Sequence, residues 1–332
     1  MNPVYFRTSA IIHIKNLFLS FVIIFLSSFL YSSVAYSQTT NDWFTNLPRK
    51  TIPIKTWPEG KKVAVCFILH VEEWGLGQGP VFRPDNVTRH PDFLNDSFRE
   101  YSIDRGLLRV AGIFREEHLP LSLSLNALFP VRHPTVWKQL YSLVPNSPII
   151  AHGINNTTDL LPLTQGLDAQ KAYIRHTLDM IQQSTGVRPL GWSSPSVYNN
   201  ADTLTATAAE GLVYSLDNMD SDQLSQLSTS SGSLILIPYP TVTVDMGQFL
   251  QRSKQPSDLE RLWIDYVTEL VREAETSPEN EATIVAIGVH SFVVGTPDGA
   301  AALRRVLENF KNQKSVWITD VQSVTQFVEK NK

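Results

Sequence analysis

From residue 63 onward, short apolar runs alternate with amphipathic stretches. Val63–His70 is apolar without alternation and rich in valine and isoleucine, which predicts a strand buried on both faces. Ser147–His152, Val187–Trp192, Leu212–Leu216, Ser233–Pro238, Thr283–His290 and Val316–Thr319 read as further strands, and Leu119–Phe129 alternates like one. Between them, helical spacing is predicted over Ile103–His118, Pro134–Leu143, Asp168–Thr185, Asn200–Glu210, Ser257–Glu275, Pro297–Asn312 and Asp320–Glu329. Strand and helix in alternation predict a mostly parallel α/β architecture. Seven or eight strands in roughly 270 residues fit a barrel better than an open sheet. No internal repeat interrupts the pattern, and the Ser/Thr cluster Ser225–Ser233 is the one short biased segment.

The strands end in reactive residues. Val63–Leu69 runs into His70, Glu72 and Glu73; Ser147–Ala151 runs into His152, Gly153 and Asn155; Thr283–Val289 runs into His290. Such placement predicts one site at the carboxyl edge of a parallel barrel. Adjacent residues of an extended chain point opposite ways, so one of Glu72 and Glu73 can face the site while the other braces it. Two carboxylates so close allow one to act as a base near neutral pH. Gly153 lets the chain turn sharply and expose His152. Arg188 is a candidate partner for a catalytic carboxylate, and Trp192 either walls the pocket or belongs to the core. Asp217 is a candidate to reach the site, whereas Asp220 and Asp222 read as solvated. His118 and His133 read as surface residues, and His70 as a buried neighbour of the carboxylates. Glu73–Asp96, with Trp74 at its start as a candidate substrate contact, reads as an irregular segment bordering the site.

Composition narrows the classes. A formal net charge of -4 without blocks of like charge argues against nucleic acid or an anionic membrane surface as partner. The single cysteine, Cys66, cannot form an internal disulfide and reads as a small buried hydrophobe. Arg7 and Lys15 precede the apolar run Leu17–Tyr31, followed by the small-residue site Ala35-Tyr36-Ser37. Residues 1–37 therefore read as a secretory signal peptide, with an uncleaved anchor as the alternative. Export to the periplasm or the extracellular space is the expected location, with membrane contact only in transit. Residues 38–62 read as a polar lead-in and 63–332 as the barrel domain. No phosphate-binding glycine loop, dinucleotide fingerprint or nucleophile elbow is present.

These segments resemble, in order, the motifs of the polysaccharide deacetylase (NodB homology) superfamily, especially its cofactor-independent allantoinase-like branch. Phe67–Glu73 is similar to the first motif, with Glu72-Glu73 in the acidic places. His152 matches the first histidine of His-x-x-x-His, and Asn156 stands where the second would be. Arg188 and Trp192 match Arg-x-x-x-Trp, Tyr214–Asp217 resembles the fourth motif, and Val289-His290 matches the fifth. The resemblance implies a distorted (β/α)7-8 barrel and hydrolysis of a non-peptide carbon–nitrogen bond. By motif position it implies Glu72 as base, Glu73 as metal carboxylate, His152 as ligand and His290 as general acid.

The departure at Asn156 matters, because a neutral amide is a poor substitute for imidazole on zinc. The expectation is no stably bound metal or other cofactor, or at most a weak divalent site from Glu73, His152 and Asn156. The substrate expected is an N-acetylated exported or envelope carbohydrate. The alternatives are an allantoinase-like cyclic amide hydrolase and a catalytically inactive carbohydrate-binding protein on the same fold. The resemblance also allows a homo-oligomer.

Overall fold

A computed structural model describes residues 48–79, 81, 91–157, 161–197, 199–277 and 281–331. The expected signal peptide lies outside the described residues. Among the described helices, none is long and apolar enough to cross a membrane.

The compact unit begins at Arg49. Among the described residues its strands are β1 (Arg49–Thr51), β2 (Val63–Val71), β3 (Ser122–Leu125), β4 (Ile149–Ala151), β5 (Gly191–Trp192), β6 (Tyr214–Ser215), β7 (Ser225–Thr229), β8 (Gly232–Leu236), β9 (Thr283–His290) and β10 (Val316–Thr319). The parallel arc runs β8-β6-β5-β4-β3-β2-β9. One edge of β2 carries β9, and the other carries β10 beside Val63–Cys66 and β3 beside Ile68–Val71. The ends of the arc approach each other where the Ala286 N–H donates to the carbonyl of Pro238, just past β8, at 3.1 Å. Helices including Leu107–Glu116, Leu167–Thr185, Ala201–Ala209, Pro256–Thr276, Pro297–Asn312 and Val321–Lys330 alternate with these strands. This is the α/β barrel that the alternation predicted.

Period-2 alternation sorts β2 into two faces. Ala64, Cys66 and Ile68 join Ile284 and Ala286 of β9, Ile150, Tyr214 and Ile235 in one buried cluster. On the other parity, Phe67 meets Phe114 and Phe310 of two flanking helices, with ring centroids 5.3 and 6.2 Å away. Both faces are thus apolar, and each fully buried ring contributes about 1.5–3 kcal/mol. Cys66 is buried here, and burial pushes its thiol up, away from nucleophilic thiolate.

The lead-in is part of this core. Trp57 is buried, donates from Nε1 to the Thr283 carbonyl at 2.7 Å, and packs on Phe327 with centroids 5.3 Å apart. The Ser/Thr cluster is also structured. Ser225–Thr229 forms β7, an antiparallel hairpin with β8, and β1 pairs on its outer edge. Its half-buried alternation carries Leu227 inward, a signal that serine-rich composition hides.

Candidate active site

The inward parity of β2 does not stop at the apolar core. It continues through Ile68 to His70 and Glu72, and β9 carries it through Ala286 and Gly288 to His290. Parallel register pairs His70 with His290 directly. His152 follows β4 on the parity of Ile150, and Tyr239 follows β8 on that of Ile235 and Ile237. Alternation and shared register therefore deliver these side chains to one end of the barrel.

They converge on one oxygen. Glu72 Oε1 lies 2.6 Å from Asn156 Nδ2, 3.3 Å from His152 Nε2, 3.4 Å from His70 Nδ1 and 3.6 Å from His290 Nε2. All five residues are buried. Burial opposes the Glu72 charge, but the positive charge of His290 and its facing N–H outweigh it and hold the carboxyl well below its usual range. Asn156 is oriented from behind by Asn126, whose amide donates to Asn156 Oδ1 at 3.3 Å and to the His152 carbonyl.

The histidines differ. His290 Nδ1 meets Asp245 Oδ1 at 2.7 Å, and Asp245 Oδ2 accepts the His290 backbone N–H at 2.7 Å. Burial works against the imidazolium, yet Glu72 and Asp245 together raise His290 to about 10. The proton stays on His290, and Nε2–H is aimed at Glu72. His70 goes the other way: burial first, then the His290 charge, push it down to about 3, so it is neutral. Its Nε2 shares a 2.6 Å hydrogen bond with the Tyr239 hydroxyl. His152 Nδ1 faces the Ser193 carbonyl at 2.8 Å. A carbonyl only accepts, so Nδ1 carries the proton and Nε2 is left to face Glu72.

Glu73 is turned away. It pairs with Arg132 Nη1 at 2.5 Å and His133 Nε2 at 2.8 Å, and its backbone N–H donates to Asn126 Oδ1 at 2.8 Å. The expected metal carboxylate is thus a brace, because it sits on the opposite parity to Glu72. His133, read as a surface residue, is part of that brace. Arg188 is not brought to the site. It precedes β5, at the far end from Trp192, and its exposed guanidinium pairs with Asp179 at 2.8 Å. Trp192 is fully buried and donates to Ser194 Oγ at 2.9 Å. Asp217 lines the pocket and accepts from the Ser194 backbone N–H at 2.9 Å and its hydroxyl at 2.7 Å. Trp74 also lines the pocket. The sequence reading missed roles for His70, Tyr239, Asp245 and Asn126. Two of these had a signal: His70 shares Glu72's parity, and Asp245 is an acid set among apolar residues in Val242–Met246.

A divalent metal fits a different set from Glu73, His152 and Asn156. His70 Nδ1, Glu72 Oε1 and His152 Nε2 lie within 4.8 Å of one another. His70 Nδ1 is buried without a hydrogen-bond partner, and His152 is held in the tautomer that frees Nε2. Two imidazoles, each fixed through its other ring nitrogen, and a carboxylate are a donor set suited to zinc.

Above these residues is a cavity of about 300 Å³, walled in part by Trp74, Val197, Met219, Val244 and Met246. Neither the protein-family models nor the curated proteins include a match to the sequence. Solved structures do match. A protein described as a polysaccharide deacetylase from Mycobacterium smegmatis is 21% identical with a TM-score of 0.69, over 86% of this chain and 96% of that one. PuuE allantoinase is 24% identical with a TM-score of 0.70, over 83% and 93%. A protein described as a polysaccharide deacetylase from Pseudomonas aeruginosa PAO1 is 22% identical with a TM-score of 0.70, over 84% and 95%. These likenesses show the fold: the chain has the distorted (β/α) barrel that the polysaccharide deacetylases share with an allantoinase.

Proposed function

We propose that this protein hydrolyses a non-peptide carbon–nitrogen amide bond of a small substrate. One observation carries the reading: His290, backed by Asp245, presents Nε2 3.6 Å from Glu72 Oε1 at the floor of a cavity. A carboxylate held ionised and an imidazole held protonated are the two forms that amide hydrolysis needs at neutral pH. Glu72 accepts a proton from water as its oxygen attacks the carbonyl carbon. His290 Nε2–H protonates the nitrogen as the carbon–nitrogen bond breaks, releasing an acid and an amine. Asn156, donating from Nδ2 to Glu72 Oε1, holds Glu72 in place for the transfer. His70, Glu72 and His152 would hold a divalent cation, which would supply Lewis-acid polarisation of the carbonyl and a more acidic water.

The structural neighbours described as deacetylases and as an allantoinase support the same bond class. The walls favour a small amide over a polymer, since the cavity is at the lower end of ligand-pocket volumes and largely apolar at its sides. Export is part of the reading and rests on the Leu17–Tyr31 run and the Ala35-Tyr36-Ser37 site; cell fractionation tests it.

The test is a panel of N-acetylated sugars, allantoin and small N-acyl amines, assayed with and without added zinc. Turnover of a small amide, lost in Glu72→Gln, is expected. Binding without release of product from any member would leave a non-catalytic binding protein.

A further inference from the structure

We infer that the substrate carries an anionic group, recognised by Arg252 at the mouth of the cavity; this rests on the amide-hydrolase reading. The segment after β8 folds over the barrel end and is fixed to it. Thr243 Oγ1 donates to the Ala286 carbonyl at 2.8 Å, Trp263 Nε1 donates to the Thr243 carbonyl at 3.0 Å, and Asp245 holds His290. The chain then turns through Gly247–Gln251 and ends that turn at Arg252. A Lys254 N–H bond to the Gln248 carbonyl at 3.0 Å secures the exit. The guanidinium is therefore displayed by the same anchored segment that positions the general acid.

Charge accounting around the cavity points the same way. Arg252 is the one arginine or lysine among the described lining residues. Among the described residues no carboxylate pairs with its guanidinium; its backbone N–H donates to the Gln248 carbonyl, which fixes the turn but leaves the side chain unpartnered. The two lining carboxylates are engaged elsewhere: Glu72 with the histidines and Asn156, and Asp217 with Ser194. Among the described residues the lining thus carries one unpaired guanidinium, while Met219, Val244 and Met246 add apolar contact. The matching ligand has its amide at the polar floor, an apolar body along the walls and a carboxylate or similar anion at Arg252.

The experiment compares benzoylglycine with N-benzoylethanolamine, which replaces the carboxylate by a neutral hydroxymethyl group. Hydrolysis and calorimetric binding are measured on the wild type, Arg252→Gln and Arg252→Lys, each checked for an unchanged unfolding temperature. The wild type is expected to favour benzoylglycine by about ten- to hundred-fold, chiefly in KM or Kd. Arg252→Gln is expected to erase that preference, and Arg252→Lys to restore part of it. Equal use of both compounds by the wild type, or a preference that survives in Arg252→Gln, would overturn the inference. If neither compound is hydrolysed, the Kd values still decide it: an Arg252-dependent preference upholds anion recognition while the amide-hydrolase reading fails.

Discussion

The ring of His290 lies flat against that of His70, with centroids 4.3 Å and planes 5° apart. Register imposes this stack, since the two residues are direct partners on β2 and β9. Two stacked imidazoles cannot both be charged cheaply. The Asp245 carboxylate beside His290 settles which one holds the proton, and the His290 charge with burial keeps His70 neutral.

The Tyr239 contact depends on Gly288. A Cβ at Gly288 would lie 2.0 Å from the Tyr239 hydroxyl oxygen. Gly288→Ala is expected to cost about 1–3 kcal/mol by overpacking and to displace Tyr239 from His70. Tyr239→Phe, which keeps the shape, should retain the fold. Thermal unfolding of both variants, with turnover beside it, checks the pair.

Glu72 and Glu73 are expected to separate cleanly on substitution. Glu72→Gln should lower kcat by about 10²–10⁴ while the protein remains folded. Glu73→Gln loses its bonds to Arg132 and His133, and with Arg132 half-exposed the cost is about 1 kcal/mol. A rate defect in Glu73→Gln as large as that of Glu72→Gln would contradict the brace.

The pH profile follows from the opposed shifts. Glu72 is held below its ordinary range, so activity should persist well into mildly acidic conditions. His290 is raised to about 10, so the alkaline limb of kcat/KM belongs near there. Asp245→Asn removes one of the two negative charges that raise His290, and the limb should move to lower pH. Stability obeys the same sign. The His290 contribution is complete below its ordinary value of 6.5 and is lost as pH climbs through about 10. His70, pushed down to about 3, contributes stability that is lost as pH falls from 6.5 toward 3. Unfolding temperature measured across pH reads both.

Zinc binding to His70, Glu72 and His152 should raise the unfolding temperature in a saturable way, because a ligand of the native state alone stabilises it. Chelator should reverse the rise, and His70→Gln should reduce both the rise and the metal content. A full response in His70→Gln would remove His70 from the ligand set.

Arg188→Ala is expected to leave turnover intact and to change stability by less than about 1 kcal/mol, as for other exposed ion pairs. A large loss of kcat would return Arg188 to the mechanism.

The sequence by itself determined the α/β alternation, the burial of Val63–His70 and the arrival of Glu72, His152 and His290 at strand ends. Those are consequences of local periodicity, which acts over a few residues and is written directly in the order of apolar and polar positions. Its parity rule even stated that Glu72 and Glu73 must part company, without saying which faced inward. Only the tertiary structure decided that. β2 pairs with β9 in a register that sets His70 beside His290, and the inward face is fixed by which residues meet the barrel core. The same cause explains the misses. Asp245 lies 45 positions from His290, Tyr239 lies 169 from His70, and Arg188 precedes β5, away from the strand's carboxyl end. Pairings of that range depend on how strands close around a shared interior, and no local pattern records them.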